Sequence, residues 1–135
     1  MSVFDTIRIA ASGLTAERFR MDVASSNIAN QRSTRNAAGT GPYQPVAPFF
    51  QAMTMTADGG QGVAATGLVA IGGDPIRVYD PTHPDADKQG FVAYPDVDIA
   101  AQMADLMGAA RSYSMNATVT AAAKQSALDA IELGR

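Results

Sequence analysis

Phe4-Asp-Thr-Ile7-Arg-Ile-Ala-Ala11-Ser-Gly-Leu14-Thr-Ala-Glu-Arg18-Phe-Arg-Met21-Asp-Val-Ala-Ser25-Ser-Asn-Ile28 is the stretch from which the architecture follows. Phe4, Ile7, Ala11, Leu14, Arg18, Met21, Ser25 and Ile28 recur at alternating steps of three and four, which sets them on one stripe of a helix. Six of these eight are apolar, alanine included, while Asp5, Arg8, Glu17, Arg20 and Asp22 occupy the other side. Ser2 is placed to cap the helix, with Asp5 three residues on to favour its positive end. Asn27 and Asn30 lower helix propensity and bond their own backbone, so the helix is predicted to fray there.

The far end of the chain repeats the pattern. From about Ile99 to Leu133, the residues Ile99, Leu106, Tyr113, Thr120 and Ala127 recur every seven positions, flanked by Met103, Ala110, Ala117, Lys124 and Ile131. Asp96 or Asp98 can cap this helix and Gly134 stands where it should stop. Eleven of the residues from Ile99 to Arg135 are alanine, which suits close helix–helix approach. Such a seam is weak in isolation, since a buried methylene contributes only about 0.8 kcal/mol. Asn116 and Lys124 lie on or beside it, either as polar register markers or as exposed side chains.

All seven prolines and nine of the twelve glycines fall between Asn36 and Pro95, so long helices are permitted only at the ends. Leu68–Ile71 and Ile76–Tyr79, separated by Gly72-Gly-Asp-Pro, read as a hairpin, and Gly90-Phe-Val-Ala-Tyr-Pro as a third strand. The stretch 53–66, with Asp58-Gly-Gly and Gly62, reads as a mobile loop. The predicted class is therefore α+β. An N-terminal helical segment (1–35) and a C-terminal one (96–135) pair as a coiled coil around a β-rich, turn-dense middle (36–95). A middle of this length rules out a simple helical hairpin. It would fold out as a side module and return the chain so that the end helices meet. Helical stripes that one partner cannot cover mark assembly surfaces.

Composition narrows the function classes. The 135 residues are 47% hydrophobic and 17% charged, an ordered composition rather than a disordered one. A net charge of −3 argues against nucleic-acid binding. With no cysteine there are no disulfides or thiolate metal sites. No apolar run is long enough to span a membrane, and the start has no Sec-type pattern, so composition alone points to the cytoplasm. The first helix is not lysine-rich enough on its polar face to favour lying on a membrane. The middle (36–98) carries seven acids against Arg77 and Lys88, while the first 35 residues hold five arginines against three acids. This asymmetry reads first as ordinary surface solvation.

Asp80, His83, Asp85 and Asp87 form the one enzyme-like cluster. Aspartate and histidine at this spacing suit a divalent metal, which would activate water. His83 is the only histidine, however, and Pro81 and Pro84 stiffen the segment. The reading is a self-bonded structural turn of Asp80, Pro81, His83, Pro84 and Asp87, with no cofactor and no catalysis.

Two motifs carry a resemblance. Ala24-Ser-Ser-Asn27-Ile-Ala-Asn30 resembles the signature of flagellar rod, hook and hook-associated proteins. Val78-Tyr-Asp80-Pro-Thr-His83-Pro-Asp-Ala-Asp87, then Gly90-Phe-Val and Tyr94-Pro-Asp-Val97, is similar to the proximal-rod members of that family. So is the tail from Tyr113-Ser-Met-Asn116 to Ile131-Glu-Leu-Gly-Arg135. Asp96 departs from the family pattern, which has asparagine there, and the resemblance is thinnest from Gln31 to Thr66.

The resemblance implies a non-enzymatic subunit whose paired end helices form the inner layer of a hollow tube, with the β-rich part outside. It implies export through the flagellar type III apparatus, polymerisation in the periplasm, and a role in torque transmission and motility. The implied partners are other rod subunits, basal-body ring and export-gate components. The predicted assembly faces are Phe4, Ile7, Leu14, Met21, Asn27, Ile28 and Asn30 on the first helix. On the second they are Ile99, Met103, Leu106, Tyr113, Asn116 and Ile131. Stripes without partners predict that the dilute purified chain has much less helix by circular dichroism than the assembled form. A dilute monomer with fully helical ends would contradict this reading.

Overall fold

Helix α1 (Val3–Ala29) starts at a capping box. Ser2 Oγ accepts the Asp5 amide at 3.2 Å, and the Asp5 carboxylate accepts the Ser2 amide at 2.8 Å. Two amides that a helix start leaves unpaired are thereby satisfied. The helix closes at Asn30, whose Nδ2 donates to the Ser26 carbonyl at 2.9 Å. Helix α2 (Ile99–Leu133) is capped by Asp98, which accepts the Ala101 amide at 3.1 Å, and closes at Gly134. The computed structural model describes residues 2–134. Met1 and Arg135, the outer limits of the end segments read from the sequence, lie outside the described residues.

The fold is α+β. Between the helices run β1 (Val46–Thr54), β2 (Gln61–Ala70), β3 (Ile76–Tyr79) and β4 (Phe91–Tyr94). They form two separate antiparallel pairs, β1–β2 and β3–β4. The β1–β2 ribbon lies along α1, while no helix or other strand packs against β3–β4 among the described residues.

The two helices pack directly on each other and run antiparallel: Asn27 meets Gln102 near one end, and Gly13 meets Asn116 fourteen residues along each chain. A Cβ on Gly13 would lie 2.7 Å from Asn116 Nδ2, so the backbones approach closely at that rung. The α1 seam holds Val3, Thr6, Ala10, Gly13, Ala24 and Asn27, each one position before a member of the predicted stripe. On α2 the seam runs Gln102, Ala109, Asn116 and Ala123, with Leu106, Thr120 and Ala127 of the predicted heptad half-buried beside it, while the flanking Met103, Ala110, Ala117 and Lys124 are exposed. The helices therefore pair through small and polar side chains. The larger residues of the predicted stripes flank the seam or face outward. The physical reason is distance, since only small residues permit axes this close.

Two expectations for the middle are corrected. Leu68–Ile71 and Ile76–Tyr79 do not pair with each other: the first belongs largely to β2 and pairs with Val46–Pro48, the second pairs with Phe91–Tyr94. Gly72, at φ +98° beneath Pro45, carries the chain from one sheet to the other. The 53–66 segment is not a loop but the end of a ribbon, with strand to Thr54 and again from Gln61. Its turn is built by Thr56, which accepts the Gly60 amide on Oγ1 (2.7 Å), and by Gly59 at φ +81°. Proline in β1 and two glycines in β2 mask the strand signal; ladder pairing overrides it. The register slips once, leaving Thr66 as a bulge opposite Phe49 and Phe50.

The core is small. Buried apolar residues are Ala10, Ala16, Val23, Ala24, Val92 and Ala109, and the largest fully enclosed side chains are Val92 and Asn27. Because Asn27 is so deeply placed, Asn27→Ala should destabilise the chain by about 3 kcal/mol, leaving its partners buried without bonds. Urea unfolding measures this; a change within roughly 0.5 kcal/mol would show that Asn27 anchors nothing.

Candidate assembly interface

Asn27 points into the molecule and uses its whole amide. Its Nδ2 donates to the Val46 carbonyl (2.8 Å) and to Gln102 Oε1 (2.9 Å). Its Oδ1 accepts from Tyr43 Oη (2.8 Å) and from the Val46 amide (3.1 Å). These are all four bonds a primary amide can make. Asn27 is 0% exposed, so its place among the assembly-face residues is corrected to a junction of α1, β1 and α2 within one chain. Asn30 stays at the surface as the α1 cap, accepting from Ser33 Oγ at 3.0 Å. Asn116 lies on the inner seam over Gly13.

The other predicted residues of α1 sit around the outside of the seam. Phe4 is 71% exposed, and Ile7, Leu14, Met21 and Ile28 are half-buried. On α2, Met103 (51%) and Ile131 (62%) are open to solvent, joined by Ile99 and Tyr113, while Leu106 is half-buried. Met107, Met115, Leu128 and Leu133 extend this apolar exterior beyond the predicted set. The described chain exposes 8917 Å². A compact monomer of 14.0 kDa would expose roughly 6,700 Å², so about 2,200 Å² more is open than a self-contained domain leaves.

Three junction residues were not singled out from the sequence. Gln102 and Tyr43 hold Asn27. Ser12, buried in α1, accepts the Val63 amide at 3.1 Å and ties the ribbon to the helix. Gly13 had a legible signal, as the one glycine in an otherwise helical N-terminal pattern. An open groove of about 650 Å³ lies where α1, the ribbon and α2 meet, lined among others by Thr6, Ile9, Gly13, Ala52, Val63 and Val119.

The acidic turn is bonded to itself and to the α1 exit. Asp80 accepts the Thr82 hydroxyl (2.7 Å) and amide (3.1 Å). Asp87 accepts the Gln89 and Phe91 amides, both at 2.9 Å, and pairs with Arg77. Asp85 accepts Thr34 Oγ1 at 2.7 Å and pairs with Arg35, while its own amide donates to His83 Nδ1 at 3.0 Å. Among the described residues no group of three or more histidines or acids is placed to hold a metal ion. No helix among them is long and apolar enough to cross a membrane.

These bonds hold three carboxyls below the usual range. The Thr82 hydroxyl and then its amide lower Asp80; the Thr34 hydroxyl and then Arg35 lower Asp85; the Phe91 amide lowers Asp87 most.

Two family models match: "Flagella basal body rod protein" over residues 7–34, and "Flagellar basal body rod FlgEFG protein C-terminal" over residues 88–133. The flagellar basal-body rod protein FlgC of Bacillus subtilis is 36% identical over the whole of both chains. The chain belongs to the flagellar basal-body rod FlgC family. The FlgC of Salmonella typhimurium is 33% identical, again over all of both chains, and that of Borreliella burgdorferi is 34% identical over 92% of each. Within this family the chain is a structural rod subunit of the flagellar basal body, and flagellum-dependent motility follows from that role. The matched residues 7–34 and 88–133 hold the α1 seam from Ala10 to Asn27, the Asn27–Gln102 contact and all of α2.

Depressed carboxyl pKa values stabilise the fold fully above the ordinary aspartate value of about 3.9 and stop doing so as pH falls through the lower folded values. The melting temperature should therefore hold steady from pH 7 to about 4.5 and fall below about 4. In Asp85→Asn that fall should be shallower. An identical acid profile in the variant would show that the Thr34–Asp85–Arg35 contact contributes nothing.

Proposed function

We propose that this chain is a subunit of the proximal part of the rod and polymerises through the outer faces of its paired end helices into a hollow tube. The tube transmits torque and passes exported subunits along its bore. The subunit works in the periplasm after passage through the flagellar type III apparatus. Its neighbours are other rod subunits, with basal-body ring and export-gate components where the rod meets them. The role is structural, not catalytic: the carboxylates around His83 are spent on the turn that holds them.

One observation carries this reading. The seam inside the chain is built from small residues, while Phe4, Met103, Met107, Leu128 and Ile131 lie outside it and exposed. A self-contained domain buries its large apolar side chains. Interfaces cover about 800 Å² per partner, so the surplus surface matches two or three neighbours. A chain of this kind completes its core by association.

Met103→Glu and Ile131→Glu should each leave the unfolding free energy within about 0.5 kcal/mol, since both sites are exposed. Both should abolish swimming and remove the protein from isolated basal bodies. Normal swimming by both variants would mean that the α2 exterior is not an assembly face.

A further inference from the structure

The groove between the ribbon and the helix pair extends towards the start of α1. The cavity of about 650 Å³ and a neighbouring one of about 340 Å³ share Thr6 and Val119. Together they follow α1 from Val3 to Gly13, roughly 15 Å. The groove lining includes the small residues Ala10, Gly13, Gly62 and Ala123, and no charged residue borders either cavity.

The predicted stripe of α1 supplies what this groove lacks. Phe4, Ile7, Ala11 and Leu14 are uncharged, three of them are large, and they also span roughly 15 Å. The next member, Arg18, falls beyond that length. Residues two apart on a helix are about 160° apart around its axis, so Ala11 lies nearly opposite Gly13. Ile7 and Leu14 sit at the edge of the lining through Val3 and Ala10, and the centre of the stripe, Phe4 and Ala11, turns away from the groove of its own chain. We infer that the Phe4–Leu14 stripe of one copy seats in the ribbon-side groove of a second copy lying beside it in the same orientation. Donor and acceptor are different surfaces of one chain. The contact is therefore heterologous: it passes from copy to copy around an axis and does not close as a twofold dimer. Stripe and groove would meet different neighbours, which fits a surplus large enough for two or three interfaces. The inference rests on the assembly reading above and specifies which faces meet.

The absence of cysteine makes the test direct. Leu14→Cys and Ala52→Cys are placed together in the full-length chain, and concentrated protein and isolated basal bodies are treated with a short bismaleimide. The expected result is a covalent ladder of dimers, trimers and larger species, at least tenfold stronger than from either single variant. Ile7→Cys with Val119→Cys samples the same contact nearer the start of α1 and should give the same ladder. Val119→Trp, which fills the groove from an exposed position, should remove the ladder while leaving the circular dichroism spectrum unchanged. Dimers from Leu14→Cys alone, with no ladder from either pair, would mean that the stripe meets itself, and would overturn the proposal. So would double variants that swim and enter basal bodies without cross-linking, an outcome that leaves the rod reading intact. Swimming cells whose basal bodies lack the protein would instead overturn the rod reading, and the proposal with it.

Discussion

The fold depends on a single amide. Asn27 sits where the first helix ends, the ribbon begins and the second helix arrives, and its four hydrogen bonds reach all three. Both the amide and the carbonyl of Val46 are bound by it, so β1 starts at a fixed place and in a fixed register against α1. Gln102 at the same point sets the phase of the returning helix. A buried amide is costly unless every bond is made, and here every bond is made. The Gly13–Asn116 contact, two heptads away on both helices, holds the second point of a line, and two points determine how the antiparallel helices lie.

Small seam residues have a consequence beyond the chain. A contact between alanines and glycine brings the helices close but buries little apolar surface, so the monomer contains few large side chains in its interior. Phenylalanine, methionine, leucine and isoleucine remain around the outside at helical spacing. On the assembly proposed above, this arrangement places cohesion between copies rather than within one chain. The same arrangement leaves the helices of an isolated chain reliant on a thin contact.

The β3–β4 pair and its acidic loop stand apart from this scheme. Neither strand packs on a helix, and the module is held by side chains: Asp85 on Thr34 and Arg35, and Asp96 on the Gly73 amide at 3.1 Å. Within the loop, Asp80 and Asp87 replace the regular ladder by accepting nearby amides. Tyr79 and Phe91 meet edge to face at 5.3 Å, with Arg77 over the Phe91 ring. The spacing of aspartates and prolines thus encodes a shaped, stiff surface feature.

Both helices, their caps and the strand at Phe91 were legible from the sequence, because heptad spacing, Ser2, Asp98 and the turn residues act locally. The α+β class and the family motifs were legible for the same reason: they are strings of neighbouring residues. The β1–β2 ribbon was hidden by its prolines and glycines, although Asp58-Gly-Gly was a turn signal that pointed to it. The sequence alone determined that two amphipathic helices frame a turn-rich middle. Only the tertiary structure decided which stripe faces inward: on α1 it is one position away from the most apolar one, while on α2 Leu106, Thr120 and Ala127 of the predicted heptad do turn towards the seam. Periodicity ranks faces by hydrophobicity, whereas packing between two helices selects the face that permits closest approach. On α1 those faces differ, which leaves Phe4 and its neighbours on the stripe outside the seam.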